Sequence, residues 1–285
     1  MTSNKAKLHV IHTGNFKLDG GAMFGVLPKI IWNGINPADE KNLCNWAMRC
    51  LLVEDGERKI LIDTGIGHKQ SEKFFGYYYL NGIESLDLSL KDVGLSRVDI
   101  TDVLLTHLHF DHVGGAVEKD PSGNLVPAFP NAVYHVTEQH WNHANNPNLR
   151  ERPSFLPENF IPLQEAGVLN FVEHGEWLTP NVKIRSVNGH TMGMITPEIH
   201  TDTKQVIYCA DLIPSSGHIP VHYTMGYDIE PLVVMQEKAK LYQEPEALER
   251  LYFFEHDLQS ECASIALNDR GQVVVSQKGN LQNLL

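Results

Sequence analysis

Thr106-His107-Leu108-His109-Phe110-Asp111-His112 is the stretch on which the fold turns. Its three histidines and one aspartate follow directly on the apolar run Val103-Leu104-Leu105, which reads as a buried strand. The cluster therefore stands where a strand ends and a loop begins. Imidazole and carboxylate are donors that a divalent ion such as zinc prefers. Their alternation on a turn lets His107 and His109 reach one ion while Asp111 and His112 face another. Single histidines are commonly surface or satisfied core residues, but four donors at this density point to metal binding.

The neighbouring segments extend that reading. Asp102 to Thr106 is the strand that delivers the cluster, and Val113-Gly114-Gly115 after it lets backbone pass close by. Upstream, Arg49 to Val53 and Arg58 to Asp63 flank Asp55-Gly56, a strong hairpin signal. Asp63 ends the second strand beside Gly65 and is expected to support a neighbour rather than touch metal. Lys7 to His12 reads as a first strand. Asp19 to Pro28 is a Gly-rich loop whose Met23 and Phe24 either tuck into the core or contact a substrate. Leu86 to Leu95 has helical spacing with Gly94 as its stop.

Downstream, Ala132 to Val136 reads as a strand and Thr137 as the N-cap of a helix reaching Asn145. His135, His140 and His143 lack carboxylates at ligand spacing and read as ordinary surface or core residues. Asn146 to Pro162 is rich in proline and asparagine, a loop over the site with Phe155, Phe160 and Ile161 as its underside. Val182 to Val187 is strand-like and leads to Gly189-His190. Gln205 to Ala210 ends in Asp211, and the helical pattern Val233 to Leu251 precedes Phe253-Phe254-Glu255-His256-Asp257. Ile265 to Val275 closes with a hairpin. One composition regime runs throughout, so residues 1–285 read as one domain, a layered α/β (α+β) protein with sheet packed on sheet.

Bulk properties exclude several classes. The formal charge is -12, from 23 Lys+Arg against 35 Asp+Glu, which disfavours nucleic acid and anionic membrane as partners. The cysteines Cys44, Cys50, Cys209 and Cys262 form no C-x-x-C pair and read as free thiols of a reducing cytosol. Met1 to Val10 has no signal-peptide core, and no run approaches the roughly 18 apolar residues of a membrane span. The expectation is a soluble, cytoplasmic protein.

Metal-type donors thus stand at four separate strand ends: the His107 cluster, His190, Asp211 and His256. The order H-x-H-x-D-H, then G-H, then a strand-terminal Asp and a strand-terminal His resembles the metallo-β-lactamase superfamily. Asp19 to Pro28, Thr106 to Gly115, Ala210 to Pro214, His218-Ile219-Pro220 and Met225 to Asp228 resemble its YtnP-like quorum-quenching lactonases, relatives of methyl parathion hydrolase. The resemblance covers most of the chain. It implies a four-layer αβ/βα sandwich with a dinuclear site between the two sheets. It further implies that His107, His109 and His190 hold one ion, Asp111, His112 and His256 a second, and that Asp211 bridges them.

The implied cofactors are two divalent metal ions, zinc by family default, with iron, manganese or cobalt suiting the same N/O donors. The implied activity is a lactonase that opens N-acyl-homoserine or related lactones through a hydroxide shared between the ions, with Asp111 and Asp211 as catalytic carboxylates. Met23, Phe24, Phe155, Phe160 and His218 are the expected substrate pocket, and a small ester or lactone the expected partner. A homodimer is expected too, with Trp32 to Trp46 as its contact. One departure stands out: family lactonases carry a tyrosine shortly after the bridging Asp, whereas Leu212-Ile213-Pro214 follows here and no tyrosine comes before Tyr223. A phosphotriesterase (organophosphate hydrolase) or another esterase or thioesterase would use the same site. A glutathione thioesterase would want a basic cluster and a secreted β-lactamase an export signal. A non-catalytic metal-binding protein is the reading from another class.

Overall fold

The computed structural model describes residues 5–285. The chain first lays down β1 (Lys7–Asp19), β2 (Leu43–Asp55), β3 (Arg58–Ile62) and β4 (Asp102–Leu104), then a separate hairpin of β5 (Val117–Lys119) and β6 (Leu125–Pro127), then β7 (Val133–Thr137) and β8 (Leu169–Val172). β1, β2, β3, β4, β7 and β8 are neighbours in that order in a six-stranded sheet. The second half supplies β9 (Trp177–Thr179), β10 (Val182–Lys183), β11 (Ser186–Val187), β12 (Met194–Ile195), β13 (Glu198–His200), β14 (Gln205–Tyr208), β15 (Leu251–Phe253), β16 (Cys262–Leu267) and β17 (Val273–Gly279). Of these, β11 and β12 pair apart, and the rest form a seven-stranded sheet ordered β17-β16-β15-β14-β13-β10-β9.

Period-2 alternation makes each strand two-faced. Leu51, Val53, Ile60, Ile62 and Leu104 enter the core shared with Ile199, Val206 and Tyr208 of the second sheet. The intervening Cys50, Leu52, Leu61 and Val103 instead meet Leu86, Leu90, Trp141 and Leu163 from helices outside the first sheet. Tyr208 crosses the interior, its hydroxyl donating to the Arg49 carbonyl at 3.0 Å. On the other face of that sheet Tyr252 meets Tyr242 of the helix Pro231–Tyr242, ring centroids 5.8 Å apart. The layers therefore run helix, sheet, sheet, helix.

Parallel pairing fixes where the site lies. β3, β4, β7 and β8 run parallel, as do β14 and β15. Each parallel step needs a crossover, which places helices on the outer faces and brings the strands' carboxyl ends to one edge. At the opposite end of β4, Asp102 closes a buried network. It accepts from Arg58 Nε at 2.9 Å and from His135 Nε2 at 2.8 Å. Burial would raise this carboxyl, but His135 and Arg58 hold it well below the usual carboxylate range.

Several expectations shift. β1 runs on to Asp19, past Lys7 to His12, because a register shift between His12 and Asn15 lets Asn15 to Asp19 pair with Leu43 to Ala47. The Asp19 to Pro28 loop contains a short helix, Gly20–Phe24, whose Ala22 N–H donates to Asp19. The Val233 to Leu251 pattern is helical only to Tyr242, and Val182 to Val187 splits into β10 and β11. Trp32 and Trp46 are 2% and 1% exposed in a core with Phe16 and Phe24, so neither indole is offered to a partner. All four cysteines are buried and free. Among the described residues no helix is long and apolar enough to cross a membrane.

Candidate metal centre

The shared edge carries the donors. Asp63 follows β3, residues 106–112 follow β4, Asp211 follows β14 and His256 follows β15, with His190 on the turn after β11. Two groups gather there: His107, His109, His190 and Asp211, and beside them Asp111, His112 and His256. Asp211 stands between the groups, Oδ2 at 3.2 Å from His190 Nε2 and Oδ1 at 3.2 Å from His256 Nε2. Asp111 Oδ2 lies 3.8 Å from both His112 Nε2 and His256 Nε2.

Backbone geometry delivers these groups. Asp63 and Ala210 adopt positive φ, 60° and 44°, so both carboxylate turns hold strained backbone. Gly114 and Gly115 follow the His107 cluster where Thr64 and Ile66 cross. A Cβ on Gly114 would meet the Ile66 carbonyl oxygen at 2.1 Å, so only glycine fits.

A partner on the outer nitrogen sets which ring nitrogen faces inward. His107 Nδ1 donates to Thr106 Oγ1 at 3.0 Å, and that hydroxyl donates to Asp63 at 2.6 Å. His112 Nδ1 meets Glu255 Oε2 at 2.9 Å and Asp63 Oδ2 at 3.2 Å. His190 Nδ1 donates to Asp228 at 2.9 Å, and His256 Nδ1 to the Ala47 carbonyl at 2.8 Å. Four Nε2 lone pairs therefore point at one another's space. His109 is reversed: Nδ1 faces His190 Nε2 at 3.3 Å, while its Nε2 lies 3.6 Å from Glu151, an electrostatic contact rather than a hydrogen bond.

This donor set fits divalent metal. Buried His107 Nε2 and Asp211 Oδ1 have no hydrogen-bond partner among the described residues, and His112 Nε2 faces His256 Nε2 at 3.3 Å. Unpartnered lone pairs converging in a buried space are unfavourable unless a cation satisfies them. Burial pushes His107 well below its usual pKa, aided by His112 and His109, which keeps it a neutral donor. Burial alone would raise Asp211, yet His112, His190 and His256 hold it well below the carboxylate range.

Above the cluster opens a cavity of about 420 Å³. Its walls include Leu18, Met23, Tyr78, Phe110, Met225 and Tyr227, with His109, Asp111, His190, Asp211 and His256 exposed to it. Met23, expected in the substrate pocket, is one of these walls. Phe24, Phe155, Phe160 and His218 are not among the walls. Phe24 is buried against Trp32 and His218, and Phe160 packs edge-on against Trp141. His218 is held between Ser215 and the Met23 carbonyl, and burial pushes it down to about 4. Phe155 lies beneath the His109 ring at 4.8 Å. The loop before it does reach the cavity, through Arg150, Glu151, Pro153 and Ser154.

Other contributors escaped the sequence reading. His140 is buried and ties two donor loops together, Nε2 accepting from Leu108 N–H and Nδ1 donating to the Met192 carbonyl, both at 2.8 Å. Glu151 accepts from His143 at 2.6 Å beside His109. Burial pushes the Glu255 carboxyl up, His112 pulls it back and Asp63 adds to the rise. No tyrosine comes from the segment directly after Asp211, but Tyr78 and Tyr227 bring phenols to the cavity. Burial and then Asp111 push both phenols up, Tyr78 to about 12, so both remain donors.

The sequence profile of the Metallo-beta-lactamase superfamily matches residues 49–276. An N-acyl homoserine lactonase of Bacillus cereus is 24% identical over 276 residues, covering 90% of this chain and 94% of its own. A probable metal-dependent hydrolase from Staphylococcus aureus superposes with a TM-score of 0.85 at 27% identity, covering 98% of both chains. AidC, a dizinc quorum-quenching lactonase solved with a product, superposes with a TM-score of 0.76 at 20% identity over 97% of this chain and 95% of its own, a likeness of fold.

Proposed function

The chain belongs to the metallo-beta-lactamase superfamily, and from that premise we propose that this hydrolase is a dinuclear lactonase acting on N-acyl-homoserine or related lactones. One observation carries the reading: Asp211 stands between two histidine-rich groups at the floor of a cavity whose walls are largely apolar. The N-acyl homoserine lactonases among its relatives support the choice of substrate.

His107, His109 and His190 would hold one ion, Asp111, His112 and His256 the other, and Asp211 would reach both. Zinc suits this donor set, as do iron, manganese and cobalt. Bound there, the ions supply Lewis acidity and lower the pKa of water towards neutrality. Asp228, Glu255, Asp63 and Thr106 fix the imidazoles that hold them. Leu18, Met23, Phe110 and Met225 take up an acyl chain and keep water from it. Tyr78 and Tyr227 donate hydrogen bonds to the substrate's oxygens. Asp111, open to the cavity, would take at its carboxylate the proton lost by the attacking water and pass it to the leaving oxygen.

A substrate panel on the metal-loaded protein tests the proposal: homoserine lactones of several chain lengths, γ- and δ-lactones, a phosphotriester, a thioester and a β-lactam. Lactones should be turned over most efficiently. Activity on the thioester alone would overturn the proposal, and hydrolysis of nothing by a fully metallated sample would favour a binding protein.

A further inference from the structure

Among the described residues that line the cavity, Arg150 is the one lysine or arginine. Its Nη2 donates to the carbonyls of Gly226 and Asp228, the latter at 3.5 Å, so the guanidinium is pinned to the turn that bears Tyr227. That turn is itself firmly held. Gly226 N–H donates to the Ala22 carbonyl at 2.7 Å and Met225 N–H to Asp228 at 2.7 Å, and Asp228 also accepts from His190 Nδ1. Pinning one nitrogen leaves Nε and Nη1 free to donate.

Arginines in a chain of formal charge -12 have many carboxylates to choose from. Among the described residues Arg58, Arg97, Arg185 and Arg250 form ion pairs, whereas Arg49, Arg152 and Arg270, which stand outside the cavity walls, form none. Among the described residues Arg150 forms none. Its neighbour Glu151 is turned to His143 and to Asn148, at 2.6 and 2.5 Å. Asp111 and Asp211 are buried at the floor with the imidazoles, whereas Arg150 is exposed at the mouth. A positioned but unpaired guanidinium is built to receive a planar anion through parallel N–H donors.

We propose that Arg150 makes the mouth of this cavity a carboxylate subsite, selecting esters or lactones whose far end, remote from the scissile bond, is anionic. The proposal rests on the hydrolase reading for its reaction and on Arg150 for its selectivity. The apolar walls hold the spacer, and Tyr227, on the same turn, stands beside the anion. Because Arg150 is exposed, water and salt screen the contact, so the preference is about tenfold rather than larger.

The test uses the metal-loaded full chain and matched γ-lactones with side chains of equal length ending in methyl or carboxylate. At low salt kcat/KM should favour the carboxylate about tenfold, through KM, and added salt should shrink the ratio. Arg150→Gln, which keeps a donor for the Gly226 carbonyl, should erase the preference, and Arg150→Lys should restore part of it. The same ratio in wild type and Arg150→Gln would overturn the proposal. Calorimetric titration with glutarate and with pentanoate reads the subsite without turnover, since only glutarate has a second carboxylate for Arg150. Arg150-dependent extra affinity for glutarate without hydrolysis of any ester would sink the lactonase reading and leave the subsite standing. Hydrolysis without that extra affinity would do the reverse.

Discussion

The two ends of β4 hold buried polar clusters of opposite character. At the amino end, Asp102 finds its counter-charge in Arg58 and a further donor in His135, both within the chain. Past the carboxyl end, Asp63, Asp111, Asp211 and Glu255 gather around imidazoles, with Thr106 and Tyr208 donating to Asp63 and Glu255, and buried His107 Nε2 and Asp211 Oδ1 have no hydrogen-bond partner among the described residues. A carboxylate in low dielectric must be paired. The first cluster pairs itself and is structural. The second leaves buried polar atoms unpartnered, which a divalent cation would satisfy.

Breaking the open cluster should have the larger effects. Asp211→Ala removes the one carboxylate that reaches both groups. It should lose metal at one or both positions and lower kcat by more than about 100-fold, since losing an outer partner alone typically costs 10- to 100-fold. Elemental analysis beside the assay checks this, and full occupancy in the variant would contradict a bridging Asp211. Glu255→Gln keeps the shape but weakens the hold on His112 Nδ1. Metal affinity measured by competition with a chelator should fall roughly 10- to 100-fold.

The closed cluster should answer in stability instead. Asp102→Asn leaves Arg58 and His135 short of their anion and should destabilise the fold by about 3 kcal/mol in denaturant unfolding, with unchanged metal content. Arg58 can turn to solvent, so a smaller loss is tolerable, whereas loss of metal would merge the two clusters into one. A still smaller effect lies in pH. The folded-state pKa of Asp102 is depressed, so its contribution is present above the ordinary carboxyl value near ~4 and is lost as pH falls below it. The stability gap between wild type and Asp102→Asn should therefore narrow from pH 7 to pH 3.

The same contrast explains what the sequence displayed. Donors for the open cluster were legible because ligand chemistry demands particular side chains at strand ends. His107 to His112 announce themselves by density, and His190, Asp211 and His256 by their place after β-rich runs or in a glycine turn. The sheet-on-sheet fold was legible from β-rich runs alternating with helical patterns along the chain. Partners on the outer nitrogens were not. Asp228 meets His190 from 38 residues away and His140 meets Leu108 from 32, so no local spacing marks them. An apolar loop residue such as Phe24 or Phe160 looks alike in sequence whether it faces a ligand or the core. Arg150 was hidden in the same loop, one charge among many on an acidic chain.

Part of the cavity wall comes from outside the strand ends that carry its floor. Tyr78 belongs to a segment that joins β1 through the Asn15–Asn81 backbone pair, and Arg150 to a stretch outside both sheets, whereas the cluster rides on strand ends. Mutational libraries aimed at these two segments should thus change what the cavity accepts while leaving the strand-end donors beneath them in place.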